Sequence, residues 1–157
     1  MKQFVEMAEG SINRVVAVRL KPGADVMEGL IYVCEQNGIK NGVILSCIGS
    51  LKKAIFMNPI EIDSKAGYGY GDPTILEGPI ELTNATGIIC HGEDGEILPH
   101  VHMDMSDREG NGYGGHLAEG TKVLLTVDFV IGEIDGIIMG RGYDEELGVP
   151  LFKPRQK

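Results

Sequence analysis

The chain has 157 residues, 43% of them hydrophobic, enough for one domain with a buried core and too few for two of ordinary size. Its formal net charge is -9, from 23 acidic against 14 basic residues, which repels phosphate backbones unless a local basic patch overrides the mean. Cys34, Cys47 and Cys90 never form a CxxC pair, which argues against a disulfide framework or a thiolate zinc knuckle and for reduced, buried thiols.

The opening "MKQFVEMAEGSINRVVAVRL" has no basic region followed by an apolar run, and no later apolar run is long enough to span a bilayer. A soluble, cytoplasmic protein without membrane contact is expected. "INRVVAVRL", Ile12 to Leu20, alternates as a half-buried strand does, with Val16, Val18 and Leu20 on one face and Arg19 on the other. A helix follows. Asp25 and Glu28 resemble a capping box, Val26, Leu30, Val33 and Cys34 form an apolar stripe, and Asn37-Gly38 supplies a left-handed stop.

The rest reads as strands: "GVILSCI", "KKAIFM", "TILEG", "IELTNATGIICH", "EILPHVHMDM" and "TKVLLTVDFVIGEI", separated by Gly-rich turns. The expected fold is therefore α+β, a strand-dominated mixed or antiparallel sheet with one main helix in the N-terminal half. One domain over 1–157 is expected, with its core at 11–134 and a C-terminal extension at 135–157. "AGYGYGDP", Ala66 to Pro73, has neither a helix behind it nor a Lys-Ser/Thr pair, so it is a surface loop or lid, not a phosphate cradle. Its Tyr68 and Tyr70 are placed to close over a neighbouring pocket. Positive charge clusters only at Lys52-Lys53 and in the tail "FKPRQK", and "GRGYDEE" runs into acid where an AT-hook would not.

Three of the four histidines lie in "ILPHVHMDMSDREGNGYGGHL", Ile97 to Leu117. On a strand His100, His102 and Asp104 share one face, and Val101, Met103 and Met105 take the other, toward the core. If "GEDG" (Gly92 to Gly95) is the preceding turn, His91 pairs with Glu96, Gly87 faces His100 and Ala85 faces His102, leaving open space over the histidines. His91 then shares their face, roughly 13 Å away, too far to act as a co-ligand within one subunit. Two turns compete for the next hairpin. A three-residue "REG" loop with Gly110 in the left-handed region sets His116 opposite His102, whereas a turn at Asn111-Gly112 sets it opposite Asp107.

Under the first register three neutral imidazoles converge, the donor set that Zn²⁺ takes in an open site whose fourth position is left to water or substrate. His100, His102 and His116 are thus the candidate metal ligands. Asp104 and Asp107 are the candidate catalytic groups, able to orient a ligand ring or accept a proton from bound water. A cupin also carries HxH on a strand, but Ser106 and Asp107 follow here in place of its Glu, and the long helix fits a small cupin barrel poorly.

These residues resemble the plant-and-prokaryote-conserved (PPC) domain. The resemblance runs from about Ser11 to Ile134 and rests on "VVAVRLKPGADVMEGL", "GVILSCIGSL", "GPIEL" and most specifically "GEILPHVHMDMSDREGNGYGGHL". It implies a homotrimer with the histidines near a subunit boundary, able to hold a metal such as zinc, and places His100, His102 and His116 on the family's three histidine positions. It also implies a DNA-binding label borrowed from plant relatives, whose AT-hook this sequence lacks. Ile80 replaces a common aromatic, and His91 stands where a small residue is expected, so assembly could bring His91 to a neighbour's site. Two functions follow: a metal-dependent enzyme or small-molecule binder, and a regulatory or scaffolding trimer acting through partners.

Overall fold

The computed structural model describes residues 5–157. Among the described residues ten strands and one helix succeed one another as β1 (Ser11–Leu20), α1 (Val26–Asn37), β2 (Gly42–Met57), β3 (Pro59–Glu61), β4 (Tyr68–Tyr70), β5 (Thr74–His91), β6 (Ile97–Ser106), β7 (Gly112–Leu117), β8 (Lys122–Asp135), β9 (Ile137–Asp144) and β10 (Val149–Gln156). The fold is a strand-dominated mixed sheet with a single helix. Among the described residues the ladders are antiparallel except for one parallel pairing of β5 with β9 at His91 and Gly140.

Helix α1 begins and ends where its side chains dictate. Asp25 caps it by accepting from the Glu28 N–H at 3.1 Å, and Gly38 ends it at φ 65°, in the left-handed region. The other oxygen of Asp25 accepts from Gly120 N–H at 2.7 Å and faces Lys122 at 3.3 Å, which ties the cap to the loop before β8. Val26, Met27, Leu30 and Cys34 are buried against β6 and β8.

Strand β2 is the hub. One of its edges carries β5; the other carries β8 along Gly42–Lys53 and then β7 at Phe56–Met57. Since β5 pairs with β6 and β6 with β7, the run β2-β5-β6-β7 returns to β2 and closes into a ring at that end. The apolar runs "GVILSCI" and "KKAIFM" are thus one strand, as are "TILEG" and "IELTNATGIICH", each pair joined through a register irregularity. "AGYGYGDP" is only partly loop, because Tyr68–Tyr70 pair with Pro59–Glu61 as a small hairpin.

The core gathers α1 with the inward side chains of β2, β5, β6 and β8, among them Leu51, Leu82, Ile89, Val101, Met103 and Phe129. All three cysteines are free and buried. Burial pushes the thiols of Cys34 and Cys47 up to about 12 and that of Cys90 to about 11, so none is a reactive thiolate. The outer face has a different character. Val15, Gly132, Val43, Ile88 and His100 line up there across five strands, with exposed Ile12, Leu45 and Ile48 beside them.

Candidate metal centre

Two hairpins bring the histidines together, and both turn on a glycine. After β5 the turn is Glu93-Asp94-Gly95, closed by Gly92 N–H to Glu96 C=O at 3.0 Å, with Gly95 at φ 86°. His91 consequently pairs with Ile97, Ile88 with His100 and Thr86 with His102. The expected pairings of His91 with Glu96, Gly87 with His100 and Ala85 with His102 are wrong by one residue, because Gly92 and Glu96 form one more pair inside the hairpin. A slip of one residue changes faces. Thr86 and Ile88, not Ala85 and Gly87, flank the histidines, and His91 belongs to the opposite face, its Nδ1 3.1 Å from the Gly92 carbonyl. Gly87 serves otherwise than expected: a Cβ there would lie 2.2 Å from the His100 carbonyl oxygen, so its lack of a side chain lets the β6 backbone approach.

The second hairpin takes the "REG" turn. Asp107 N–H donates to Asn111 C=O at 3.1 Å, Gly110 adopts φ 84°, and His116 pairs directly with His102. The Asp107 carboxylate shows why this turn prevails over Asn111-Gly112. It accepts from the Glu109 and Asn111 N–H groups at 3.0 and 2.8 Å, from Asn111 Nδ2 at 2.8 Å and from the Tyr113 hydroxyl at 3.1 Å. The Asn111 side-chain bond first, with the backbone N–H and Tyr113 bonds, holds its pKa below the ordinary carboxylate range. Gly115 lets β7 pass β2, since a Cβ there would meet Phe56 at 2.7 Å and the Met57 carbonyl at 2.9 Å.

The result is a cluster in which His100, His102 and His116 each offer a ring nitrogen, all within 4.8 Å of one another. His100 Nε2 and His102 Nε2 are 3.3 Å apart. That separation is the edge of a tetrahedron whose centre lies about 2.0 Å from each corner, the zinc–imidazole distance. Ring centroids are 5.2, 5.1 and 5.5 Å apart, and Tyr70 stacks on His116 at 4.7 Å, covering it as the expected lid would. Tyr68 remains well exposed.

The chemistry of these rings favours lone pairs over protons. Burial, then the charges of His100, His102 and Arg141, push the His116 pKa down to about 4. The same causes, burial first and then His102 and Arg141, lower His100. His116 Nδ1 is buried and has no hydrogen-bond partner among the described residues, and a metal would satisfy such an orphaned acceptor. A three-imidazole donor set with one orphaned nitrogen fits a divalent metal of zinc's preference.

Asp104 lies on the histidine face of β6, opposite Gly114, and accepts from Asn84 Nδ2 at 3.2 Å; Asp107 stays in the turn. An open cleft of about 330 Å³ lies against His100 and His102, walled by Val43, Thr86 and Ile88. Sequence reasoning missed Thr86 and Ile88, although Gly95 carried the same left-handed signal that Gly110 carried for the other hairpin. It also missed Arg141, which lies beyond the stretch the histidine motif occupies.

A strand-rich domain with one helix and an outward histidine face is a recognisable class, and the likeness extends to known proteins. The Plants and Prokaryotes Conserved (PCC) domain model matches residues 7–135, and the chain belongs to that family. The fold is shared with a metal-containing protein from Archaeoglobus fulgidus (TM-score 0.81, 23% identity, covering 94% of this chain and 99% of that one). It is shared also with a plant- and prokaryote-conserved protein from Pyrococcus horikoshii (TM-score 0.80, 24% identity, 98% and 100%). A proposed DNA-binding protein from Bacteroides thetaiotaomicron is similar as well (TM-score 0.76, 20% identity, 94% and 97%). Among curated sequences, the bifunctional protein GlmU of a Synechococcus strain is 29% identical over 120 residues, 76% of this chain. The chain spans only 17% to 18% of the length of the curated relatives it matches.

Proposed function

We propose that the chain is a single domain over 1–157, with its core at 11–134 and an extension at 135–157, that holds zinc through His100, His102 and His116. It would bind or process a small molecule at the position the three ligands leave open. The observation that carries this reading is the convergence of three ring nitrogens within 4.8 Å beside an open cleft. A structural neighbour described as metal-containing is in keeping with it. When bound, zinc acidifies a coordinated water or polarises a substrate oxygen. Asp104, on the same strand face, is the carboxylate available to take a proton. Asp107 has both oxygens engaged by the turn and acts by holding the register that aligns His116 with His102. Tyr70 excludes water from one side of His116.

Self-association belongs to the same proposal. The cross-strand row Val15, Gly132, Val43, Ile88 and His100 joins an exposed apolar face to the histidines, so copies packing there as a homotrimer would set the centre at a subunit boundary. The second reading is a regulatory or scaffolding trimer acting through partners, favoured by that apolar face and by the DNA-binding description of one neighbour. With a net charge of -9, direct DNA binding would be weak and steeply salt-dependent.

Elemental analysis of untagged protein, wild type beside His102→Ala, tests the choice. Near-stoichiometric zinc in the wild type and none in the variant is expected. Protein that carries no metal and takes up none from added Zn²⁺ would move the regulatory reading to the front.

A further inference from the structure

The C-terminal hairpin, β9 with β10, lies past the residues that the family model covers, and it gathers cationic side chains in a chain that is acidic as a whole. The tail that stands out in the sequence as a basic cluster supplies Lys153 and Arg155, and β9 supplies Arg141. All three line one cavity of about 530 Å³, which His91 and Glu93 at the end of β5 complete. The parallel pairing of His91 with Gly140 holds the hairpin against β5 and fixes these walls.

Two glycines shape the floor. Gly140 stands opposite Lys153 and Gly142 opposite Leu151. A Cβ on Gly142 would come within 3.5 Å of the Lys153 side chain, and one on Gly140 within 3.7 Å of the Arg155 guanidinium. The long cationic side chains therefore lie across bare backbone. Among the described residues neither Arg141 nor Arg155 forms an ion pair, although the chain has 23 acidic residues. Lys153 donates to the Tyr143 carbonyl at 2.8 Å, which leaves it two further N–H donors. Three cations line this concavity against one carboxylate, that of Glu93, and the excess positive charge is relieved when an anion enters.

We propose that this cavity binds the phosphate group of a small phosphorylated molecule. Two guanidinium forks and an ammonium match the charge and the several acceptor oxygens of a phosphate dianion. The cavity exceeds what a bare phosphate fills, so the remainder of the molecule is accommodated beside His91 and Tyr143. A long polyanion fits less well. It would leave the cavity across an acidic surface within a Debye length of about 8–10 Å, whereas a small dianion meets chiefly the three cations. None of the three clustered histidines lines this cavity, although the Arg141 charge at its wall reaches His100 and His116.

Calorimetric titration of the full chain with glycerol 3-phosphate, beside parallel arms with succinate and a short DNA duplex, provides the test. The wild type is compared with Arg141→Ala, Arg155→Glu and His102→Ala, each checked for an unchanged thermal transition. Saturable binding is expected, about tenfold weaker in either arginine variant and undiminished in His102→Ala, so that loss of the metal reading leaves this one standing. Lack of saturable binding, or wild-type affinity in both arginine variants, would overturn the proposal. Succinate binding as tightly would make the cavity a carboxylate site, and duplex binding that disappears in the same variants would make it a nucleic-acid contact; either outcome refutes the phosphate assignment.

Discussion

On one side of β6, Gly92 pairs with Glu96 across a three-residue turn that ends in Gly95; on the other, Asp107 pairs with Asn111 across a three-residue turn that ends in Gly110. The backbone solution is the same, but the means of holding it differ. Four donors converge on the Asp107 carboxylate, whereas the side chain of Asp94 accepts one 3.4 Å bond from Glu96. The heavily bonded turn sets the register between two histidines, and the sparsely bonded one sets the register between a histidine and Ile88. The register that aligns the two candidate ligand groups is the one reinforced with side-chain bonds.

The largest expected effect breaks the β5–β6 side. Gly87→Ala puts a methyl group 2.2 Å from a main-chain oxygen that cannot move without parting the strands. A stability loss of about 3 kcal/mol is expected in urea denaturation, and an unchanged midpoint would show that the strands tolerate more separation than this packing implies. A smaller effect sharpens the comparison. Gly95→Ala and Gly110→Ala should each cost about 1 kcal/mol for forcing a Cβ into the left-handed region. Neither new Cβ has a neighbour closer than 3.6 Å, so the costs should match. Zinc uptake should fall in Gly110→Ala and persist in Gly95→Ala; equal uptake in the two would separate the turn from the site.

The smallest effect comes from acid. The Asp107 pKa is lowered on folding, so its stabilisation is complete above the unfolded value of 3.8 and is lost as pH falls through the depressed folded value. Amide exchange at Glu109 and Asn111 should accelerate in that window, while the backbone bonds of the Gly92–Glu96 turn, which do not titrate, serve as the internal reference. Concurrent opening of both turns would mean that global unfolding, not Asp107, sets the acid limit.

Much of this architecture could be read from residues alone where a local rule has a single solution. Asp25, Glu28 and Gly38 bound the helix because caps act within one turn of chain, and the "REG" loop with Gly110 is one of two turns that the residues permit for the second hairpin. The first hairpin failed because "GEDG" can be counted as four turn residues or three, and periodicity in the strands does not penalise the wrong count when Thr86 and Gly87 are both compatible with either face. Residues 135–157 were legible only as an extension. Strands β9 and β10 pair with each other as a local hairpin, but their docking on β5 goes through a bridge from His91 to Gly140, separated by nearly fifty residues, and no local pattern encodes a contact so distant.

The pairing of β1 with β8 sets Ser11 beside Asp135 and Leu20 beside Val127. On the ribosome the first strand therefore emerges long before its ladder partner β8, and β2 must wait for β8 to fill one of its edges. Neither strand can be completed cotranslationally until most of the chain has been made, so topology of this kind predicts late, concerted assembly with a high demand for protection of unpaired edges during synthesis. Arg19 and the charged run Lys52-Lys53 stand on those waiting strands, placed to discourage premature pairing with other nascent chains.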